Sequence, residues 1–396
     1  MRLLPGGSRI CGELPEGCVH CHRGGKMVLL VTGLCGACCF YCPLSEKKRG
    51  QDVVYANERF IKDPLDLEQL LDEAESIEAL GSGITGGEPL LMLERVLGYI
   101  KVLKEQFGKR HHIHLYSALA ATREQLEALA EAGLDEIRFH LDFEEWYPGL
   151  LAGGEEFRLS FDETLKNALD LGLDVGVEIP LIPAEPGPYL SLIHHLEGLG
   201  VMFLNLNELE YSATNFEELN QRGWTVKSDI SSAVLGSEEL ADEILIRREL
   251  EREEKGQDLE MTVHFCSVSF KDGVQLRNRL IRQARHTAKP YEWITDDGTL
   301  LKGIMEFPPD STREEMENAV ELLLKQEPLP AGLYFLNTEK HRLETSMELI
   351  GDLAQLTLFS CFIIENYPSA DELEVERTPA GSDAPIWHHG EDEEEF

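Results

Sequence analysis

Residues 35–42 read Cys35-Gly36-Ala37-Cys38-Cys39-Phe40-Tyr41-Cys42, four thiols in eight positions just after an apolar run. Deprotonated sulfur is a soft donor, and thiols at this density select iron–sulfur clusters or zinc. Cys35, Cys39 and Cys42 form C-x3-C-x2-C, which binds three irons of a four-iron cluster and leaves the fourth iron open to a ligand. Cys38 falls outside that spacing. The same residues permit a zinc ribbon, because Cys18-x2-Cys21 and Cys39-x2-Cys42 are 17 residues apart.

A second group of cysteines precedes the octet. Cys11, Cys18 and Cys21 lie in a Gly- and Pro-containing segment with little apolar content to order it, which suggests a metal as its organiser. Three thiolates call for a fourth ligand. Cys266 in His264-Phe265-Cys266-Ser267 is the best candidate, with His20, His22 or substrate as substitutes, since Cys361 sits in an apolar run and reads as core. The segment is expected to hold an auxiliary centre, a second [4Fe-4S] cluster or zinc. Further on, Gly86-Gly87-Glu88-Pro89 follows a short strand candidate. A glycine pair at a strand end admits close approach of a ligand to the backbone, and a neighbouring carboxylate can accept from an ammonium group.

The elements that must place these residues alternate. Strand candidates at 27–31, 83–85, 113–116, 136–139, 175–179 and 202–205 are separated by helical patterns at 65–80, 90–107, 122–132, 161–171 and 189–197. Leu67, Leu70, Leu71 and Ala74 show the three-and-four spacing of an amphipathic helix. Six β/α repeats are too few for an eight-fold barrel, so the fold class is α/β, an open (β/α)6 partial TIM barrel over 26–210. A Cys-rich segment (1–25) precedes it. An α+β accessory region (211–380) and an acidic, disordered tail (381–396) follow. Functional groups belong at the C-terminal ends of the strands, where both the octet and Gly86 to Glu88 fall.

The pairing of these motifs resembles the radical S-adenosylmethionine superfamily over about residues 26 to 210. The resemblance implies a [4Fe-4S] cluster on Cys35, Cys39 and Cys42, with the usual aromatic residue, here Tyr41, before the last cysteine. It implies that Gly86, Gly87 and Glu88 bind the methionine amino group of S-adenosylmethionine, which chelates the open iron. The reduced cluster then cleaves the sulfonium to a 5′-deoxyadenosyl radical that abstracts hydrogen from substrate. A low-potential electron donor of the ferredoxin or flavodoxin type is implied as partner. Ser117 is a candidate ribose contact, and Arg138, His140 and Glu178 are candidates for cofactor or substrate contact.

The substrate is less legible. From Lys271 to Lys289 six basic residues stand against one acid, and Arg282, Arg285 and Lys289 share a helix face. With Arg277 they would hold a substrate anion, a phosphorylated small molecule or an RNA backbone. That favours a relative of the wyosine-base synthase acting on transfer RNA. A net charge of -37, from 73 acids against 36 bases, opposes it. The cysteine spacing is also that of the pyruvate formate-lyase activating enzyme, which installs a radical on a protein glycine. A non-enzymatic zinc-ribbon binding protein is the alternative of a different class. The start of the chain is too broken by Gly and Pro for a signal peptide, and no run reaches the roughly 18 apolar residues of a membrane span. The reading is a cytoplasmic protein without membrane partners.

Overall fold

Inward and outward residues alternate along each central strand, and that period of two shapes the first part of the molecule. The computed structural model describes residues 1–151, 159–255 and 261–380. They divide after Arg279 into two compact units. In the first, strands β1 (Lys26–Leu30), β2 (Gly81–Thr85), β3 (His112–Ser117), β4 (Glu136–Phe139), β5 (Asp174–Leu181), β6 (Phe203–Glu208) and β7 (Thr262–Cys266) run parallel in chain order. Met27, Leu29, Ile84, Ile113, Leu115, Val175, Val177, Leu204 and Val263 are buried against the surrounding helices. The opposite face carries Lys26, His114, Tyr116, Arg138, Glu178, Asn205 and His264, which contact one another across the strands. Parallel sheets are usually apolar on both faces. This one has a polar, hydrogen-bonded interior.

Six of these strands are the six expected. The sheet also runs past residue 210, because the strand at 262–266 pairs with β6 after a helical insertion that obscures the repeat. The compact unit continues to Arg279, so the boundary at 210/211 cuts through it. The Cys-rich segment is not separate either. Its strand Arg9–Cys11 pairs antiparallel with β7, and its helix Glu16–His22 packs inside the barrel against β1, β2 and β3. Gly17 makes this possible, since a Cβ there would lie 2.7 Å from both Arg138 Nη2 and His114 Nδ1. Backbone pairing and barrel packing therefore order a segment whose composition suggested only a metal could.

After β4, helix Phe143–Leu151 buries Trp146, edge-on to Tyr189 at 5.0 Å. In the second unit, an antiparallel sheet is ordered Tyr334–Asn337, Arg342–Thr345, Leu300–Glu306, Ser360–Asn366, Glu374–Pro379, and Trp293–Ile294 also pairs with Leu300–Glu306. Helices Arg313–Gln326 and Met347–Leu356 contribute Met316, Val320, Leu323, Ile350 and Leu353 to its core, where Cys361 is buried as expected. The acidic tail at 381–396 lies outside the described residues.

Candidate active site

The first two β/α loops are bonded to each other. Past β1 the chain leaves regular structure at Thr32, whose hydroxyl donates to Asp52 at 2.9 Å, while Arg95 donates to the Val31 carbonyl at 2.7 Å and pairs with Asp52. The Gly87 N–H donates to Thr32 O and the Glu88 N–H to Leu34 O, each at 2.7 Å. This brings Gly86-Gly87-Glu88 directly onto the stretch that leads into the cysteines. No side chain fits between them. A Cβ on Gly86 would meet Thr32 O at 2.5 Å, and one on Gly87 would meet Leu34 O at 2.3 Å.

Downstream, the cysteine loop is tied to the opposite side of the barrel. The Asn215 amide donates to Tyr41 O at 3.1 Å and the Thr214 hydroxyl to Cys42 O at 3.2 Å. Tyr41 packs into a small core with Ile182, Leu209 and Tyr211. Its hydroxyl meets His140 Nε2 at 2.9 Å, and His140 Nδ1 lies 3.1 Å from Glu178 O. A carbonyl only accepts, so Nδ1 carries the proton and the Tyr41 hydroxyl donates to Nε2. Burial pushes His140 below the usual imidazole range, which agrees with a neutral ring. Cys39 Sγ is 3.8 Å from the same Nε2. Tyr41, expected as an aromatic neighbour of the cluster, thus acts as the bolt between the cysteine loop and β4.

Glu88 departs from expectation. It is fully buried, and its carboxylate accepts from Leu90 N at 2.9 Å, Ser117 Oγ at 3.1 Å and Ala118 N at 2.7 Å. Desolvation raises its carboxyl above the ordinary value, against those three donors. The side chain is a clamp between the β2 and β3 loops, so an ammonium group would have to use the backbone of Gly86 and Gly87. Ser117 is consumed in the same clamp, its single hydroxyl proton shared between Glu88 and Leu119 O, at 2.9 Å from the latter.

A cavity of about 870 Å³ opens over these loops, lined by Cys35, Cys39, Cys42, Gly86, Gly87, Ser117 and His140, and on its far side by Glu178, Asn207, Glu210 and Lys271. Such a volume suits a cofactor with part of a substrate. Arg138 does not reach it. Its side chain is 2% exposed and pairs with Glu136 and Glu178, at 2.9 Å to the latter, while Nη1 donates to Tyr116 at 3.2 Å. Burial alone would raise the Glu178 carboxyl, but Arg138, Asn205 and Asn207 outweigh it and lower the value to about 2. Arg138→Met would leave the buried Glu136 carboxylate without its cation and weaken the support of the half-buried Glu178, and is expected to cost about 3 kcal/mol, seen as a lower melting temperature. A variant as stable as the parent would show that the barrel tolerates both carboxylates unpaired.

The basic stretch divides. Lys271 lines the cavity and pairs with Glu210 at 3.2 Å. Arg279 is buried and pairs with Glu58. Lys289 is spent within the second unit on Glu344 at 3.4 Å and Glu372 at 3.3 Å, so it does not hold a substrate anion. Arg277 and Arg285 are exposed and Arg282 half-buried. Sequence reasoning missed Lys26, which lines the cavity floor beside Tyr116 at 3.5 Å. The parity of Lys26, Val28 and Leu30 on one strand could have found it. The auxiliary cysteines divide too. Cys11 pairs in register with Val263 and so faces the outer side of the sheet, where its thiol donates to Leu245 O at 3.8 Å. Cys266 lies on the inner side with His264.

A profile described as the radical SAM superfamily matches residues 29–190, and one described as a domain of unknown function (DUF8061) matches residues 298–380. A protein of Methanocaldococcus jannaschii named as a glycyl-radical enzyme activating enzyme is 40% identical over 375 residues, covering 93% of either chain. The chain belongs to the radical S-adenosylmethionine superfamily. It is a radical SAM enzyme, and the cofactors of that superfamily are a [4Fe-4S] cluster and S-adenosylmethionine. Solved structures with similarity include Streptococcus suis SuiB bound to S-adenosylmethionine, at 13% identity and a TM-score of 0.39, covering 61% of this chain and 50% of that one. Another is the coproporphyrinogen III oxidase HemN of Escherichia coli, at 13% identity and a TM-score of 0.36, covering 63% and 58%. The chain spans half the length of the first and 58% of the second.

The residues present suit those cofactors. Three thiols share one loop that is anchored at both ends, and Gly86 and Gly87 leave bare backbone beside it. Burial holds the Cys39 thiol up at about 11 and raises Cys35, so a bound cation is what would bring them to the thiolate form. Among the described residues no helix is long and apolar enough to cross a membrane.

Proposed function

We propose that this radical SAM enzyme is an activating enzyme, which abstracts hydrogen from a glycine of a partner polypeptide. The observation that carries the reading is the chain-long similarity to a protein named as such an enzyme, since it spans both compact units. The charge of the molecule agrees, because a chain at -37 repels a polyanion. Lys271 at the cavity and Lys289 in the second unit are both held by carboxylates.

In this reading Cys35, Cys39 and Cys42 hold the cluster, and the Gly86-Gly87 backbone receives the amino end of S-adenosylmethionine. When bound, the two supply a 5′-deoxyadenosyl radical by one-electron reductive cleavage. The chain's own part is positional. Tyr41, His140 and Asn215 fix the cysteine loop, and the Glu88 clamp fixes the β2 and β3 loops. Glu178, Asn207 and Lys271 present donors and acceptors on the far side, where a peptide backbone can be matched. Cys35 and Cys38 are open to solvent, so a ferredoxin- or flavodoxin-type donor can approach the loop.

Anaerobic protein given dithionite, S-adenosylmethionine and a peptide with a central α-deuterated glycine should transfer deuterium into 5′-deoxyadenosine. If instead only transfer RNA accelerates the reaction, and charge reversal of Arg282 and Arg285 abolishes that acceleration, the activating-enzyme reading fails and an RNA substrate replaces it.

A further inference from the structure

Beneath the cavity the barrel interior holds a second set of soft donors. Cys18 and Cys21 stand three apart on helix Glu16–His22, hence on one face of it. Cys266 ends β7 on the inner face, in register with the cavity-lining Asn207, and lies within electrostatic reach of both. All three are free thiols.

The hydrogen bonds around them fix the state of a nitrogen. Glu178 is an ionised carboxylate and only accepts, so the side-chain group that Asn205 turns to it, at 3.0 Å, is the amide nitrogen. The amide oxygen of Asn205 therefore faces His264 Nδ1 at 3.2 Å. That oxygen also only accepts, so His264 carries its proton on Nδ1 and Nε2 is a bare lone pair. His264 is 1% exposed, and its Nε2 has no hydrogen-bond partner. An acceptor buried in this way costs roughly 1–3 kcal/mol unless something meets it.

The sulfur atoms are prepared as well. Cys18 Sγ receives Arg138 Nη2 and Asn205 Nδ2, each at 3.5 Å, and two N–H donors solvate a thiolate better than a thiol. Lys26 stands beside Cys21, and Lys271 beside Cys266. Each thiol thus has a cation near it, although Arg138 also serves Glu136 and Glu178, and Lys271 also serves Glu210. With three carboxylates sharing these cations, a bound metal ion would have to supply the rest of the positive charge that three buried thiolates need.

We propose that Cys18, Cys21 and Cys266, with Nε2 of His264, form a second metal centre of the soft-ligand kind, beneath the cofactor cavity. Among the described residues no three donors already converge as a metal site, and that applies equally to Cys35, Cys39 and Cys42. Closure of either set needs rotation of the thiol side chains. Cys11 is not a member, because strand pairing turns it to the other face of the sheet.

The test uses full-length protein purified without oxygen, with Cys35, Cys39 and Cys42 all replaced by alanine. It should retain either about four irons with four sulfides or about one zinc per chain, which tells a cluster from a zinc site. Adding Cys18→Ser and Cys21→Ser should bring this to background, whereas adding Cys11→Ser should leave it unchanged. If the double variant fails to fold, the unmodified chain decides: eight irons, or four irons and one zinc, support the centre. Four irons without zinc overturn it, as does a triple variant with neither metal. X-ray absorption should lose a metal–nitrogen shell near about 2.0 Å in His264→Ala. Persistence of that shell overturns the assignment of His264 and leaves His22, whose Nε2 is also buried and unpartnered, as the ligand.

Discussion

Cys39→Ala is expected to abolish release of 5′-deoxyadenosine while leaving the chain folded. The loop that carries Cys39 is held by other atoms, through Asn215 to Tyr41 O, Thr214 to Cys42 O and the Tyr41–His140 bond. Cys39 itself is only half-buried, and removing its sulfur should cost no more than about 1 kcal/mol of stability. The chemical loss is far larger. Outer-shell partners of metal ligands are worth roughly 10–100-fold in affinity or activity, and a ligand must be worth more than its supports. Cys38→Ala supplies the contrast, because Cys38 is exposed and outside the three-ligand spacing. It should keep both iron and turnover. If Cys38→Ala lost the cluster and Cys39→Ala kept it, the ligand set would have to be redrawn with Cys38 in place of Cys39, and the zinc-ribbon alternative, which also needs Cys39, would fall with it.

Much of this site can be read in the sequence, because its parts are local. Three cysteines on one loop and a glycine pair after the next strand need only the β/α register to bring them to one end of a sheet. What could not be read depends on contacts between distant segments. Cys11 and Cys266 both looked like ligands beside Cys18 and Cys21. Which of them faces inward is decided by the antiparallel pairing of Arg9–Cys11 with β7, more than 250 residues away in the chain. Arg138 stands on an inward strand position, yet Glu136, Glu178, Tyr116 and Cys18 take its donors inside the barrel. Glu88 looked like a ligand group for the same reason that it is a clamp. A carboxylate after two glycines has donors within reach, and here Leu90 N of its own loop and Ala118 N and Ser117 Oγ past β3 take it up. The basic helix misled because charge spacing along a helix says nothing about which acids other strands will bring.

Gly87→Ala is expected to damage stability and catalysis together, and it separates the two roles proposed for the glycine pair. The added methyl would sit 2.3 Å from Leu34 O, 2.6 Å from Leu34 C and 2.7 Å from Gly33 O. All three are backbone atoms, so no side chain can rotate away. The bonds from Gly87 N to Thr32 O and from Glu88 N to Leu34 O hold the loops in contact, and relief of the clash must stretch them. Overpacking of this kind costs roughly 1–3 kcal/mol, or about 2–4 °C of melting temperature per kcal/mol. The displacement falls on Leu34, next to the first cluster cysteine, so activity should fall further than the stability loss accounts for. Gly36→Ala is the matched control. It lies inside the cysteine loop, but a Cβ there meets nothing within 4 Å, so stability should stay within about 0.5 kcal/mol. A fully active, fully stable Gly87→Ala protein would mean that the two loops separate more easily than their bonds imply. In that case contact between them would not be what sets the distance from the cysteines to the amino-group site.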